Sequence, residues 1–397
     1  MSKRLKIGFL YNHEEIHQIA HTAPVAAAMA ALNANIDIGM LTSTARQERV
    51  VKAYIAKHCP DAGIGFTALS LGKIAGIVSR IAGRMLPLRR VLILRKYRAL
   101  LSRFDAIIVP EMTTALLKSR WKMTAPKLVF IPHGSGDRAI GFGVALRQFD
   151  LILVGGEKTR RRMIEAGTAG AGRVKITGYP KFETIDTAAK PDFFGNGRQT
   201  VVYNPHFDPK LSSWYRFGED ILDYFLHQDR YNLIVAPHVM LFERRIHSSA
   251  EHRKLRIRRD IPARFVGVPH ILIDTGSPRS VDMSYMLGAD IYFGDVSSQI
   301  YEWLVRPRPS VFFNSHDADW RDDPNYAHWQ LGDVLTSPAM IDATLTAIAR
   351  DPDRYRARQD AAFADTFSIS QQPAAQRAAQ AIVDFIRANG DSAGHGH

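Results

Sequence analysis

ADIYFGDVSSQIYEWL, residues 289–304, is the stretch that decides the fold. Apolar residues carry it to Gly294 in the manner of a strand buried on both faces. Asp295-Val296-Ser297-Ser298 then interrupts the run, and apolar positions resume at helical spacing. A strand running into a helix start is the repeating unit of an α/β sheet. The first amides of such a helix lack intrahelical partners and sit at the positive end of its dipole. That turn suits an anion such as a diphosphate, with the hydroxyls of Ser297 and Ser298 as further donors. Asp and Ser are equally at home as N-caps that satisfy those amides themselves, and the pattern leaves both readings open.

Working outward, the same alternation of short apolar runs and helical patterns recurs on both sides. Before residue 289 come TVVYNPH (200–206), a helix at 216–227, YNLIVAPH (231–238) and HILIDT (270–275); after it comes SVFFN (310–314). Residues 186–199, DTAAKPDFFGNGRQ, carry Pro and Gly without periodicity and read as an interdomain linker. Upstream lies a comparable series: LKIGFLY (5–11), an alanine-rich helix near 22–33, IDIGMLT (36–42), FDAIIVP (104–110), KLVFIPHG (127–134), FDLILVGG (149–156) and VKITGYP (174–180). The expected architecture is α/β: two Rossmann-like, doubly wound domains, residues 1–187 and 188–385, facing a central cleft. A disordered tail is expected over 386–397.

Bulk properties narrow the class. A chain of 397 residues with 46% hydrophobic content has material for two cores, which excludes disordered and fibrous classes. The single Cys59 forms no internal disulfide, and MSKRLKIGFLYN enters a strand pattern rather than a secretory signal, so a reducing, cytoplasmic setting is expected. No stretch approaches the roughly 18 apolar residues of a spanning helix. A formal charge of +13 calls for an anionic partner. Residues 71–103 are rich in Lys and Arg, contain no acid, and set these cations among apolar residues at helical spacing. The segment reads either as an anchor on the anionic inner face of a membrane or as helices packed on the sheet with a solvated basic side. The run from Arg244 to Arg259 is a second basic stretch, a solvated face or a contact for a polyanionic acceptor. Neither stretch interleaves aromatics as a base-stacking platform does, and no nucleic-acid partner is expected.

Further residues carry possible chemistry. His133 and Gly134 follow a strand, where open α/β sheets bind ligands; His133 is placed to accept a proton, and Gly134 and Gly136 to let the backbone approach a substrate. A structural, hydrogen-bonded histidine is the competing reading. His238 occupies the corresponding place in the second series, and Asn204 and His206 lie at another strand end, touching a nucleotide or closing a turn. His13-Glu-Glu-Ile-His17 matches HExxH, a zinc motif only when both histidines share a helical face. Here it falls in the loop after the first strand, where His17 and His21 are expected to line an acceptor pocket, and no metal is expected. Neither GxGxxG nor a P-loop follows any strand, which argues against a dinucleotide dehydrogenase or a P-loop NTPase.

Taken in order, IPHGSG, FDLILVGGEKTRRRM, ITGYPKFE, VVYNPHFD, VAPHVML and LGADIYFGDVSSQIYEWLVRPRPSVFF resemble the CDP-glycerol glycerophosphotransferase family of teichoic-acid primases and polymerases over most of the chain. The resemblance implies a metal-independent GT-B transferase that moves a polyol phosphate from a CDP-linked donor to a hydroxyl of a lipid-linked or polymeric acceptor, peripherally at the membrane. It implies His133 as base, His238 at the donor phosphates, and Asp295, Ser297 and Ser298 at the diphosphate. The chain departs from the family where Val239 follows the second histidine in place of Pro, where Glu302 replaces Asp, and where Asn204 to Asp208 replace an Arg-bearing segment. A glycosyltransferase using a nucleotide sugar and a non-catalytic membrane-surface protein are the competing functions.

Overall fold

The computed structural model describes residues 4–13, 15–32, 35–72, 88–249 and 253–391. The chain divides into two compact units. The first comprises residues 1–135, 142–184 and 364–397, and the second residues 136–141 and 185–363.

The first unit is built on seven parallel strands, β1 (Leu5–Tyr11), β2 (Ile36–Thr42), β3 (Gly65–Ala68), β4 (Ala106–Val109), β5 (Lys127–Phe130), β6 (Leu151–Val154) and β7 (Val174–Ile176). Their order in the sheet is β3-β2-β1-β4-β5-β6-β7. All four residues of β4 and of β6 are buried, because helices cover both faces of a parallel sheet and no position is left for a polar residue. Gly8 and Gly39 pair across β1 and β2, and a methyl on either would press on the ring of Phe104, at 3.2 and 3.0 Å. These glycines make room for an aromatic lying over the sheet.

The helix Ala374–Asp391 returns to this unit. Its Ala375, Ala378, Ala379, Ile382, Val383 and Ile386 share one core with Ala23, Ala26 and Ala27 of the helix Ala23–Ala31. Small side chains on both helices permit that approach. A domain boundary drawn linearly through the sequence misses this, as does the expected tail from 386, since the helix continues to Asp391. The arriving segment is held where β6 ends: Ser368 N–H donates to the Gly155 carbonyl at 2.8 Å, and a Cβ on Gly156 would lie 2.5 Å from Thr366 backbone atoms.

The second unit contains β8 (Gln199–Asn204), β9 (Tyr231–Val235), β12 (Ile271–Ile273), β13 (Ile291–Gly294), β14 (Ser310–Phe313) and β15 (Asp333–Leu335), all parallel, in the order β12-β9-β8-β13-β14-β15. A separate antiparallel pair, β10 (Ile246–Ser249) and β11 (Lys254–Ile257), was not anticipated from the sequence. The helix expected after Ser298 is a single short turn, Gln299–Trp303, with Ile300, Tyr301, Glu302 and Trp303 all buried.

Of the basic segment 71–103, residues 73–87 lie outside the described residues. The rest forms the helices Leu88–Lys96 and Arg98–Leu101, whose Ile93, Leu94 and Leu101 are fully buried in the first unit's core. Arg90 pairs with Glu15, and Arg89 donates to the carbonyl of Ser43. In this half the apolar side packs inward and two of the cations are engaged within the fold. No helix among the described residues is long and apolar enough to cross a membrane.

Candidate donor site and histidine cluster

In the second unit, the adjacent strands β9, β8, β13 and β14 deliver their carboxyl ends side by side, and the sequence places a polar group after each. Asp295, one residue past β13, is fully buried, and its Oδ2 accepts from the backbone N–H groups of His206 and Ser213, both at 2.9 Å. It therefore staples the loop after β8 to the end of β13. Burial raises its pKa to about 7, outweighing the two amide donors that favour the charged form. Asn204 is likewise committed: its amide donates to the Ala236 carbonyl at 2.6 Å and its oxygen accepts from Tyr292 at 3.3 Å.

Ser297 and Ser298 are half-buried. Ser298 occupies the N-cap position without a side-chain capping bond, while the Ser297 hydroxyl accepts from Gln299 N–H at 3.3 Å. The Ser297 hydroxyl thus takes up the first helical amide, and the Ser298 hydroxyl makes no capping bond. Gly136 approaches here, since a Cβ at this glycine would sit 3.2 Å from Ser298 Cβ.

His206 and His238 follow β8 and β9 with ring centroids 5.4 Å apart, and Phe207 lies 4.8 Å from His238. His206 Nδ1 accepts from Asp208 N–H at 3.0 Å, and His238 Nδ1 from Met240 N–H at 3.3 Å. In the neutral tautomers this leaves Nε2–H as the donor on each ring. Burial, and then the neighbouring His238, Arg138 and His316, hold His206 far below the ordinary histidine range. It is a neutral hydrogen-bond donor at neutral pH.

Sequence reasoning missed the group beneath. Asp137 accepts from both the backbone N–H and Nδ1 of His328, at 3.1 and 2.8 Å, and from the Tyr301 hydroxyl at 2.8 and 2.7 Å to its two oxygens. His328 Nε2 in turn lies 3.2 Å from the Asp295 carbonyl, which also accepts from Trp329 Nε1. No local pattern marks partners 191 residues apart. His316 was also missed: its Nδ1 is 2.8 Å from Ser315 Oγ, and burial lowers it to about 4.

In the first unit, β1, β4 and β5 are sheet neighbours, and His13, Glu111 and His133 follow them. His133 Nδ1 donates to the Pro110 carbonyl at 2.7 Å. A carbonyl can only accept, so the proton is fixed on Nδ1 and Nε2 carries the basic lone pair. Desolvation lowers the His133 pKa, partly offset by the Pro110 bond and by Glu15 and Glu111. Gly134 is half-buried in the same loop. His17 lies 6.2 Å from His133 ring to ring, and buried His21 meets Tyr179 edge-on at 5.0 Å. Buried His13 is lowered to about 4 by desolvation. The HExxH match is not a helical face, because the 3₁₀ turn begins only at Ile16 and leaves His13 outside it. No group of three or more His, Cys, Asp or Glu among the described residues is arranged to hold a metal ion.

Compared with solved structures, the chain superimposes over 99% of its length, and 90% of the other's, on the wall teichoic acid polymerase TagF soaked with CDPG, with TM-score 0.60 and 14% identity. The fold is GT-B. The GT-B likeness extends to a putative UDP-N-acetylglucosamine 2-epimerase from Listeria monocytogenes (TM-score 0.59, 12% identity, 99% of this chain and 98% of that one). It extends also to S. aureus MnaA with UDP (TM-score 0.58, 10% identity, 98% and 97%). No family model and no curated protein matches the sequence. At these identities the likeness is one of GT-B fold, and function rests on the residues.

Proposed function

We propose that the chain is a GT-B transferase that moves a polyol phosphate from a CDP-linked donor to the hydroxyl of a lipid-linked or polymeric acceptor, with His133 as general base. The observation that carries this reading is the His133–Pro110 bond, which places the proton of the neutral ring on Nδ1 and leaves its lone pair on Nε2, while desolvation lowers the pKa. Nε2 takes the proton of the acceptor hydroxyl as its oxygen attacks the donor's β-phosphorus. The bond from that phosphorus to the bridging oxygen breaks, and CMP departs with the electron pair. In the second unit, the Ser298 hydroxyl and the Nε2–H groups of His206 and His238 supply donors to the diphosphate, while Asp295 and Asn204 position their loops. His17 and His21 are assigned to the acceptor side. The order of motifs resembling the glycerophosphotransferases and the TagF-like fold support this assignment.

The likeness to the putative 2-epimerase and to MnaA with UDP favours a second reading, chemistry on a UDP-sugar in the same fold. Thermal shift and calorimetry against CDP, CMP, UDP, GDP and ADP separate the two, because binding to the folded state raises the midpoint. Stabilisation by CDP or CMP that disappears in Ser297→Ala/Ser298→Ala is expected. A preference for UDP transfers the assignment to a UDP-sugar enzyme, and no response to any nucleotide overturns both.

A further inference from the structure

The β10–β11 hairpin of the second unit presents an unusual surface. Its register pairs Ile246 with Ile257 and Ser248 with Leu255, which sets these four residues on one face and His247, Ser249, Lys254 and Arg256 on the other. Ile246, Leu255 and Ile257 are 58, 67 and 68% exposed, three of the eight exposed large apolar side chains among the described residues. Arg244, Arg245, Arg253 and Arg259 flank the two strands in sequence, and Lys254 and Arg256 belong to the opposite face; all six are exposed. Of the nearby acids, Asp260 is taken up by Arg245 at 3.2 Å and Arg258 at 3.0 Å.

The hairpin is anchored to the body of the unit. Buried His247 lies 3.0 and 2.9 Å through Nε2 from the carbonyls of Leu241 and Arg244. Buried Arg258 stacks on Phe242 at 4.2 Å and donates to the Arg259 carbonyl at 2.9 Å. The apolar face is thus held outward by residues that themselves point in.

We propose that this hairpin docks the protein on an anionic phospholipid surface, with Ile246, Leu255 and Ile257 entering the acyl boundary and Arg253, Arg256 and Arg259 meeting the phosphates. An apolar face on an element rich in exposed cations is complementary to lipid, which offers hydrocarbon beneath a layer of negative charge. A polynucleotide offers the charge but needs aromatic platforms for its bases, and this face has none. A second copy of the chain would set arginine against arginine. Three side chains also fall well short of the roughly 1,000 Å² that a specific protein interface buries. The proposal does not depend on the catalytic assignment.

The test is flotation of the full-length protein with phosphatidylcholine vesicles, with and without phosphatidylglycerol. The variants are Ile246→Ser/Leu255→Ser/Ile257→Ser, Arg253→Glu/Arg256→Glu, and Arg95→Glu/Arg98→Glu in the other basic segment. Melting curves verify folding, which surface positions leave intact. Binding to anionic vesicles is expected in the parent and the Arg95/Arg98 variant. It should fall roughly fivefold or more for each hairpin arginine reversed, and at least tenfold in the triple serine variant. As a second measurement, Leu255→Trp should give fluorescence quenched by brominated lipid beyond that of the parent. Parent-level binding by the triple serine variant, loss in the Arg95/Arg98 variant alone, absence of quenching at position 255, or flotation of the parent only when nucleic acid is present each overturns the proposal.

Discussion

Asp137 holds His328 twice, through the ring at 2.8 Å and the backbone at 3.1 Å, at a point where the chain has entered the second unit for only six residues, 136–141. Both partners are almost fully buried, at 3 and 2% exposed. Because His328 reaches the Asp295 carbonyl with its other nitrogen, this contact fixes the loop that carries Ser297 and Ser298.

Asp137→Ala is therefore expected to destabilise the second unit by about 1–3 kcal/mol or more, the cost of leaving the buried donors of His328 and Tyr301 without their acceptor. Urea titration followed by tryptophan fluorescence reads this, since Trp329 sits against the same carbonyl. A change below about 1 kcal/mol, the range of an exposed pair, would assign the contact no structural weight.

For His133→Ala, turnover with a CDP-linked donor should fall about 10²–10⁴-fold, the usual contribution of a positioned base, with nucleotide-induced thermal stabilisation retained. The pKa of His133 lies below the ordinary 6.5, so the base stays deprotonated through neutrality. The acid limb of the rate profile should therefore be centred below pH 6.5, with the rate levelling off above neutrality. An acid limb centred above pH 7 contradicts the assignment.

Asp295 gives a signed dependence of stability on pH. Its folded pKa of about 7 exceeds the ordinary 3.8, so folding favours the protonated form. The contribution is complete below about pH 4 and is lost as pH rises toward 7. Asp295→Asn keeps an oxygen to accept the His206 and Ser213 amides but cannot ionise. The melting temperature of the parent minus that of Asp295→Asn should fall between pH 4 and 7. A flat difference places the Asp295 pKa near its ordinary value.

Gly156→Ala tests the return of the chain to the first unit. The new methyl would lie 2.5 Å from the Thr366 backbone, too close to coexist with it. A loss of at least about 1–3 kcal/mol is expected from overpacking, with earlier proteolysis around 364–391 as the local signature. Unchanged protease resistance would show that the segment accommodates the methyl.

The βα alternation was legible because buried parallel strands are near-continuous apolar runs, and AIIV at 106–109 or LILV at 151–154 read as little else. The positions of His133, His206, His238 and Asp295 were legible for the same reason: each follows such a run. What the side chains do there was not. That Asp295 faces inward depends on amides 82 and 89 residues away, and Asp137 meets His328 across 191. The hairpin at 246–257 escaped notice because its outer face breaks the rule that strands bury their apolar side. The return of the last helix was hidden for a related reason, since an alanine-rich amphipathic pattern names no partner.

That return orders events during synthesis. The first unit leaves the ribosome first, yet its core waits for Ala375, Ala378, Ala379 and Ile382 to cover the alanine face of the helix Ala23–Ala31. Every residue of the second unit has been translated by Phe363. The unit that begins the chain is thus the last to close, and a nascent protein stalled near residue 363 exposes an apolar surface of the kind that chaperones bind.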